Sequence, residues 1–475
     1  MSRLERVGWG ATLLIVGLAA WLRFATLGEW SLDGDEFYSW HDVQKMLAGE
    51  DWPHGARSHP LGYLLILLSV SVFGLSEVVV RSAPAVCGLL AVVALLRMRR
   101  DVISPRVALA ASALAALSPW LIYHAQMARF YSPLLLCVTL ATLWALPGQG
   151  CRPGRAALAW ALAVLCHPTA LLLGPGLLAP LFLPPVRWRV LWGLGSAAVL
   201  CIALVWFFDG GSTRTVALRA YAGLDPGRYS FTHFLSGLGY NLGPMVGLLA
   251  LLGLPSAWAD RRGSGSTLLL SAGLPPLLLL AISLSGLSVH QRYAMCAVPA
   301  ALLLAGRGWE AVAVRRPLLG WALAVLAVGA FIPSLVAYQR DGDRHDLRAV
   351  AAFLVQNGSS SDIVVADEHA TLQVYLHAEP GFADTVVIEE SFVDEKKRHD
   401  FLRNQSEIWV ALKLSRLGSV YHDDLLRWLE ESFTEITKVG RVPPPLARHD
   451  NRYVIYRRSQ RLKPSKKPTG LRGNR

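Results

Sequence analysis

Charged side chains are scarce in this chain. They make up 17% of its 475 residues, where a soluble globular protein carries roughly a quarter, and 53% of the residues are hydrophobic. The scarcity is uneven. Long apolar runs fill residues 1–340, and the remainder reads as an ordinary soluble sequence, which excludes a single water-soluble globule. Cysteine is also sparse, with six in all. Cys87, Cys137, Cys166, Cys201 and Cys296 lie in apolar runs and Cys151 in a loop; none has zinc-ligand spacing, and no structural disulfide is expected. No internal repeat is visible, which argues against a transporter built on inverted repeats. No small-residue cleavage site follows the apolar run Gly8–Leu22, so it reads as a retained first helix and not a signal peptide.

Acidic residues are the minority, 34 against 46 Lys and Arg, a net charge of +12. A basic chain ordinarily suggests nucleic acid. Here the excess sits in short loops between apolar runs and in a C-terminal tail, the pattern of a membrane protein with its basic loops on the cytoplasmic side. Sixteen tryptophans suit interfacial anchoring.

A membrane-crossing helix needs about 20 apolar residues. The first span is read as Gly8 to Leu27, with Arg3 and Arg6 inside and the polar segment Glu29 to Ser58 outside. Pro60 to Phe73 is short for a span, whereas Val78 to Leu96 is long enough and ends on Arg97, Met98, Arg99 and Arg100. Keeping those arginines inside requires that only the second run crosses, so Pro60–Phe73 is expected to be an interfacial helix. Further spans are expected over Val107–Tyr123, Pro133–Leu146, the pair Ala156–Cys166 and Thr169–Leu183, Val190–Phe207, Leu235–Trp258, Leu268–Leu284, Tyr293–Leu304 and Leu318–Val336. The expected fold is a mainly α-helical polytopic membrane domain over 1–340, with about eleven transmembrane helices plus juxtamembrane helices. A small extracytoplasmic α/β domain follows over 341–460, then a basic disordered tail over 461–475. In the α/β domain, strands are read at Asp362–Ala366, Thr385–Glu389, Glu407–Leu412 and Arg452–Arg457. Helices are read at His345–Gln356, Asp394–Asn404 and His422–Phe433. It contains no recognisable nucleophile or nucleotide-binding loop.

The strongest local signal is Asp33-Gly34-Asp35-Glu36-Phe37-Tyr38, just beyond the first span. Two adjacent carboxylates at a membrane surface could bind a cation or supply a general base. They also suit a helix start, with Asp35 as N-cap and Glu36 as a first-turn charge. Three further groups stand out. His59-Pro60 opens the interfacial helix. Arg129 and Tyr131 lie on an outer turn, and Arg292 and Tyr293 sit at the mouth of a late span. An outer arginine flanked by aromatics suits bidentate phosphate binding, and snorkelling to lipid headgroups is the plainer alternative. His167, between two short apolar runs, is expensive to bury unless paired.

These residues resemble the motifs of polytopic GT-C-type glycosyltransferases that use polyprenyl-phosphate sugars. Protein O-mannosyltransferases and the lipid A aminoarabinose transferases (a family 39-like superfamily) belong to this group. Asp35-Glu36 matches the family's acidic pair in the first outer loop, and His59-Pro60 with Leu61-Gly62-Tyr63 matches its juxtamembrane His-Pro motif. Ala128-Arg129-Phe130-Tyr131, Arg81 and Arg292-Tyr293 also fit. The resemblance implies inverting transfer of a hexosyl or pentosyl group from a polyprenyl-phosphate donor to a hydroxyl of a protein, lipid or glycan. Asp35 would be the base, Glu36 its assistant, and Arg129 and Arg292 would meet the phosphate. A divalent cation at Asp35 and Glu36 stays open. Ser58-His59 replaces the Glu-Lys pair of the lipid A enzymes, which disfavours an aminoarabinose donor. No outer loop is long enough for the β-trefoil of the eukaryotic mannosyltransferases. The implied partners are the lipid-linked donor, the acceptor and membrane lipids, with no nucleic acid, in a bacterial inner membrane. The competing classes are a transporter or flippase of lipid-linked sugars and a non-catalytic assembly protein.

Overall fold

The structure is a computed structural model. It describes residues 3–97, 102–147, 151–179, 203, 234, 237–239, 242–284, 289–342, 344–389, 407–414, 429–430, 433–440 and 451–458. The fold is that of a multi-pass helical membrane protein with a small C-terminal sheet domain. Its chain divides into two compact units. One comprises 1–29 and 38–339, the other 30–37 and 340–475.

The first unit is helical. Its leading helices are α1 (Arg3–Phe24), α2 (Gly34–Leu47, whose first residues belong to the other unit), α3 (His54–Ser58), α4 (Pro60–Phe73) and α5 (Glu77–Leu96). They are followed by α6 (Pro105–Leu117), α7 (Pro119–Ala125), α8 (Tyr131–Ala145) and α9 (Pro153–Cys166). The short apolar run Pro60–Phe73 is a separate helix with the bounds read from sequence. Among the described residues four helices are long and apolar enough to cross a membrane, Glu77–Leu96, Ser264–Leu284, Gln291–Arg315 and Pro317–Arg340, or five if one bent pair is a single span. The expected span Val190–Phe207 and the loop after it lie outside the described residues, apart from residue 203.

That bent pair corrects the expectation of one continuous helix over Val107–Tyr123. The chain turns by 64° between α6 and α7. Pro119 opens α7, and Ser118 caps it by accepting a hydrogen bond from Leu121 N. A proline has no amide hydrogen for the carbonyl four residues earlier. Arg23 supplies the missing donors: Nη2 donates to Ala115 O at 3.0 Å and Nη1 to Ala116 O at 3.3 Å. This explains why an arginine can be fully buried at the end of α1. Nearby, Gln126 Nε2 donates to Leu22 O and Thr26 Oγ1, both at 3.0 Å, and Gln126 Oε1 accepts from Tyr338 at 2.6 Å.

The second unit holds a five-stranded sheet ordered β2-β1-β3-β5-β4. Its strands are β1 (Ile363–Ala366), β2 (Val386–Glu389), β3 (Ile408–Lys413), β4 (Phe433–Val439) and β5 (Tyr453–Arg458). β1 runs parallel to β2 and β3, and β5 runs antiparallel to β3 and β4. Both faces of β1 and β3 are covered. Val364, Ala366, Trp409 and Ala411 pack with Leu347, Val350 and Leu354 of helix Leu347–Asn357; Val365, Ile408, Val410 and Leu412 pack with Leu429 and Phe433. Double burial is why these strands read as continuous apolar runs.

Two elements escaped the sequence reading. β4 begins at Phe433, where a helix had been expected to end. It is a sheet-edge strand that buries only Phe433 and exposes Thr434, Glu435 and Ile436, so its apolar pattern is faint. Helix His369–His377 buries only Thr371, Leu372 and Leu376. The expected helix Asp394–Asn404, most of His422–Phe433 and the tail 461–475 lie outside the described residues.

Candidate active site

Six of the eight residues singled out in the sequence come together in the helical unit. His59 sits at the junction of α3 and α4, and His167 between α9 and the 3-10 turn Pro168–Leu173. Their imidazoles stack, with centroids 5.0 Å apart and planes within 5°. Phe130 lies 3.7 Å from the His59 ring, and Tyr131 lies 6.1 Å from His167. On the other side Tyr293, from the 3-10 turn Gln291–Ala297, stacks on His167 at 5.3 Å. The result is a wall of five rings drawn from four separate stretches of chain.

Two guanidiniums lie over this wall. Arg129 is 4.8 Å from the centroid of Phe130, and Arg292 is 5.6 Å from that of Tyr131. Both are within cation–π range, and both side chains retain partial exposure. Arg129 Nη1 also donates to Ser39 Oγ at 3.3 Å and to Tyr63 OH at 3.4 Å. Tyr63 in turn bonds Asp42, whose carboxyl is shifted upward by burial in spite of that bond. Gly62 allows the approach of α4, since a Cβ there would lie 3.1 Å from the Phe130 Cα.

Burial, then the neighbouring His167 and Arg129, push the His59 imidazole well below the ordinary histidine range. At neutral pH it is an uncharged ring, and its buried Nδ1 has no hydrogen-bond partner among the described residues. His167 Nδ1 meets Thr169 Oγ1 at 2.8 Å and accepts from Thr169 N at 3.2 Å. A pair of guanidiniums over a neutral imidazole and aromatic wall can hold a phosphate while offering rings to an apolar or sugar group. Arg81 takes a structural role instead: it is fully buried and donates to Leu27 O at 3.1 Å.

Asp35 and Glu36 belong to the second unit. The N-cap of α2 is Asp33, which corrects the assignment of that role to Asp35. Asp33 Oδ1 accepts from Glu36 N at 2.9 Å, Glu36 Oε2 accepts from Asp33 N at 3.3 Å, and Asp33 O accepts from Phe37 N. This reciprocal pair is a capping box. Glu36 is fully buried, and Arg344 Nη1 donates to its Oε2 at 2.9 Å. Asp35, in the same first turn, keeps partial solvent access. Burial first, then Glu36, Asp35 and Glu368, push the Asp33 carboxyl up to about 6 against the opposing pull of Arg344.

Glu36 Oε2 accepts from Arg344 and from the capping amide, so a divalent cation at Asp35 and Glu36 would share this carboxylate with them. Among the described residues no group of three or more His, Cys, Asp or Glu is arranged to hold a metal ion. Arg344 escaped the sequence reading, and no local signal could have found it.

Residues 54–208 match the family described as dolichyl-phosphate-mannose-protein mannosyltransferase. No curated protein matches the chain by sequence. Among solved structures, apo ArnT from Cupriavidus metallidurans superposes with a TM-score of 0.59 at 17% identity, covering 95% of this chain and 98% of that one. The same protein bound to undecaprenyl phosphate gives 0.55 at 16% identity, covering 95% and 99%. The archaeal oligosaccharyltransferase AglB from Archaeoglobus fulgidus, with an inhibitory peptide and a dolichol-phosphate, gives 0.53 at 12% identity, covering 95% and 76%. The family match covers residues 54–208 alone, and the likeness to the solved structures is one of fold.

Proposed function

We propose that this protein is an enzyme that transfers a sugar, hexosyl or pentosyl, from a polyprenyl-phosphate donor to a hydroxyl of a protein, lipid or glycan. The reaction would run with inversion at the outer face of a bacterial inner membrane, with the C-terminal domain extracytoplasmic. The observation that carries the reading is the convergence of Arg129 and Arg292 on the ring wall of His59, Phe130, Tyr131, His167 and Tyr293. The matched mannosyltransferase segment spans His59, Arg129, Tyr131 and His167. The fold is shared with proteins whose structures hold undecaprenyl phosphate or dolichol-phosphate.

In the proposed reaction the arginines bind the donor phosphate and stabilise the negative charge that grows on it as the glycosidic bond breaks. Asp35 takes the proton of the acceptor hydroxyl as the oxygen attacks the anomeric carbon from the opposite side, and polyprenyl phosphate leaves. Glu36, buried and held by Arg344, orients the first turn of α2 and does not itself touch substrate.

The test is Asp35→Asn, which keeps size and polarity and removes the base. Release of polyprenyl phosphate from purified enzyme should fall about 100-fold or more, with thermal stability close to that of the parent. Near-normal turnover would leave Asp35 as a helix-start residue and refute the assignment.

A further inference from the structure

The order β2-β1-β3 contains a topological switch point. From β1 the chain passes through helix His369–His377 to β2 on one side, and the sheet continues on the other side with β3. In open α/β sheets the crevice beyond the carboxyl ends of two such strands is where ligands bind. Here its rim is made by Asp367 and Glu368, which follow β1, and by Lys413, which ends β3. Asp367 Oδ2 accepts from Lys413 N at 2.8 Å, and Lys413 Nζ pairs with Glu368.

The helix start at residues 33–36 is lodged against this rim. A Cβ on Gly34 would lie 3.3 Å from the Glu368 Cδ, and Glu368 contributes to the upward shift of Asp33. The residues leading into it are pinned to the same domain. Leu32 N donates to Tyr375 OH at 2.7 Å, Ser31 Oγ donates to His345 O at 2.7 Å, and Arg348 Nη2 donates to Trp30 O at 2.9 Å.

Glu368 is the single non-glycine residue with a positive φ among those described, at φ 48° and ψ 41°. A left-handed conformation in a residue with a side chain is costly and persists where its surroundings enforce it, which marks candidate functional positions. A glycine or asparagine would relieve the strain, but neither could pair with Lys413 and present a negative charge to Gly34.

We propose that Glu368 and Arg344 are positioning residues of opposite sign. The switch-point crevice of the C-terminal domain holds the Asp33–Glu36 helix start in the place of a diffusible ligand. Arg344 favours the ionised state of its carboxylates and Glu368 opposes it. The C-terminal domain is then part of the machinery that sets the base. Among the described residues, the charged or titratable groups at this helix start include its N-cap Asp33, Asp35 and Glu36 on α2, and Arg344 and Glu368 beside them, while Arg348 and Tyr375 hold the residues leading into it. Lys413 and Asp367 stand behind Glu368.

The inference rests on the reading of Asp35 as the base, and the experiment separates the two. The pH dependence of kcat/KM for polyprenyl-phosphate release is measured for the parent and for Arg344→Gln, Arg344→Lys and Glu368→Gln, with melting temperature recorded for each. Removing Arg344 deletes a stabiliser of carboxylate charge, so the acidic limb should move to higher pH by about 1 unit or more. Arg344→Lys should restore most of that shift. Glu368→Gln deletes a like charge, so its acidic limb should move to lower pH by about half a unit. A purely structural role predicts lower activity at every pH with no displacement of the limb. Limbs that stay in place, or that move in the same direction, overturn the inference while an inactive Asp35→Asn leaves the reading of Asp35 intact. An active Asp35→Asn overturns that reading first. Because Arg344→Lys and Glu368→Gln conserve hydrogen bonding, they remain informative if Arg344→Gln fails to fold.

Discussion

His59 and His167, far apart in sequence, place their imidazole planes within 5° of parallel at a centroid distance of 5.0 Å. Each ring then has a second aromatic neighbour, Phe130 for His59 and Tyr293 for His167. The stack depends on uncharged rings, since two imidazolium ions at this distance would repel. His59, kept neutral by burial and nearby positive charge, can therefore offer a ring face and a hydrogen bond but not an acidic proton near neutral pH. His59→Phe should retain the stack and the melting temperature but raise the KM for donor. His59→Ala should lower both stability and activity. Equal donor KM in His59→Phe and the parent would restrict His59 to packing.

Arg129→Ala and Arg292→Ala should each weaken use of the lipid donor, by roughly 10-fold or more if a charge-assisted bond to phosphate is lost. Lysine should rescue only partly at either position. It restores charge but not the fork that lets Arg129 reach Ser39, Tyr63 and a phosphate together. Titration of donor against initial rate gives the answer, and unchanged donor kinetics in both alanine variants would leave the two arginines as headgroup anchors.

Asp33→Asn should stabilise the protein above pH 6. The Asp33 carboxyl is raised to about 6 in the folded chain, against about 3.9 in an unfolded one. A carboxyl raised on folding contributes stability while protonated, in full below the unfolded value, and that contribution disappears as pH rises through about 6. Asparagine can still cap the helix through its carbonyl oxygen and carries no charge to bury. The melting temperature of Asp33→Asn should therefore exceed that of the parent at pH 7.5, with the difference closing toward pH 4. The partial exposure of Asp33 makes the gain small.

Arg23→Met should destabilise the helical unit by about 2 kcal/mol, because it removes the donors to Ala115 O and Ala116 O at the bend. Pro119→Ala alone should be mild, since it gives Ala115 O a backbone donor. Combining the two should recover part of the Arg23→Met loss. Thermal unfolding of the purified protein in detergent measures the coupling, and strictly additive effects would break the link between the arginine and the proline.

Much of the architecture is legible in the residues themselves. The bounds of Pro60–Phe73 and four of the five strands follow from apolar run length and from runs rich in β-branched residues. Those signals are local, because burial on one face or two writes itself into consecutive residues. The sequence also nominated His59, Arg129, Tyr131, His167, Arg292 and Tyr293, because polar and aromatic residues at the ends of apolar runs are costly without a purpose. It could not say that these six would share one wall, nor that Asp33 rather than Asp35 would cap α2. Contacts between distant segments leave no periodic trace. Edge strand β4, with one face in solvent, was hidden for the related reason that it buries too little to show a pattern. Tertiary structure alone decided that Arg344 would neutralise Glu36, that Arg23 would bond the carbonyls at the Pro119 bend, and that Glu368 would be held left-handed against Gly34. Each of these joins a charge or a strained backbone to a partner far away in the chain, and the energy that fixes it exists only once the packing around it has formed.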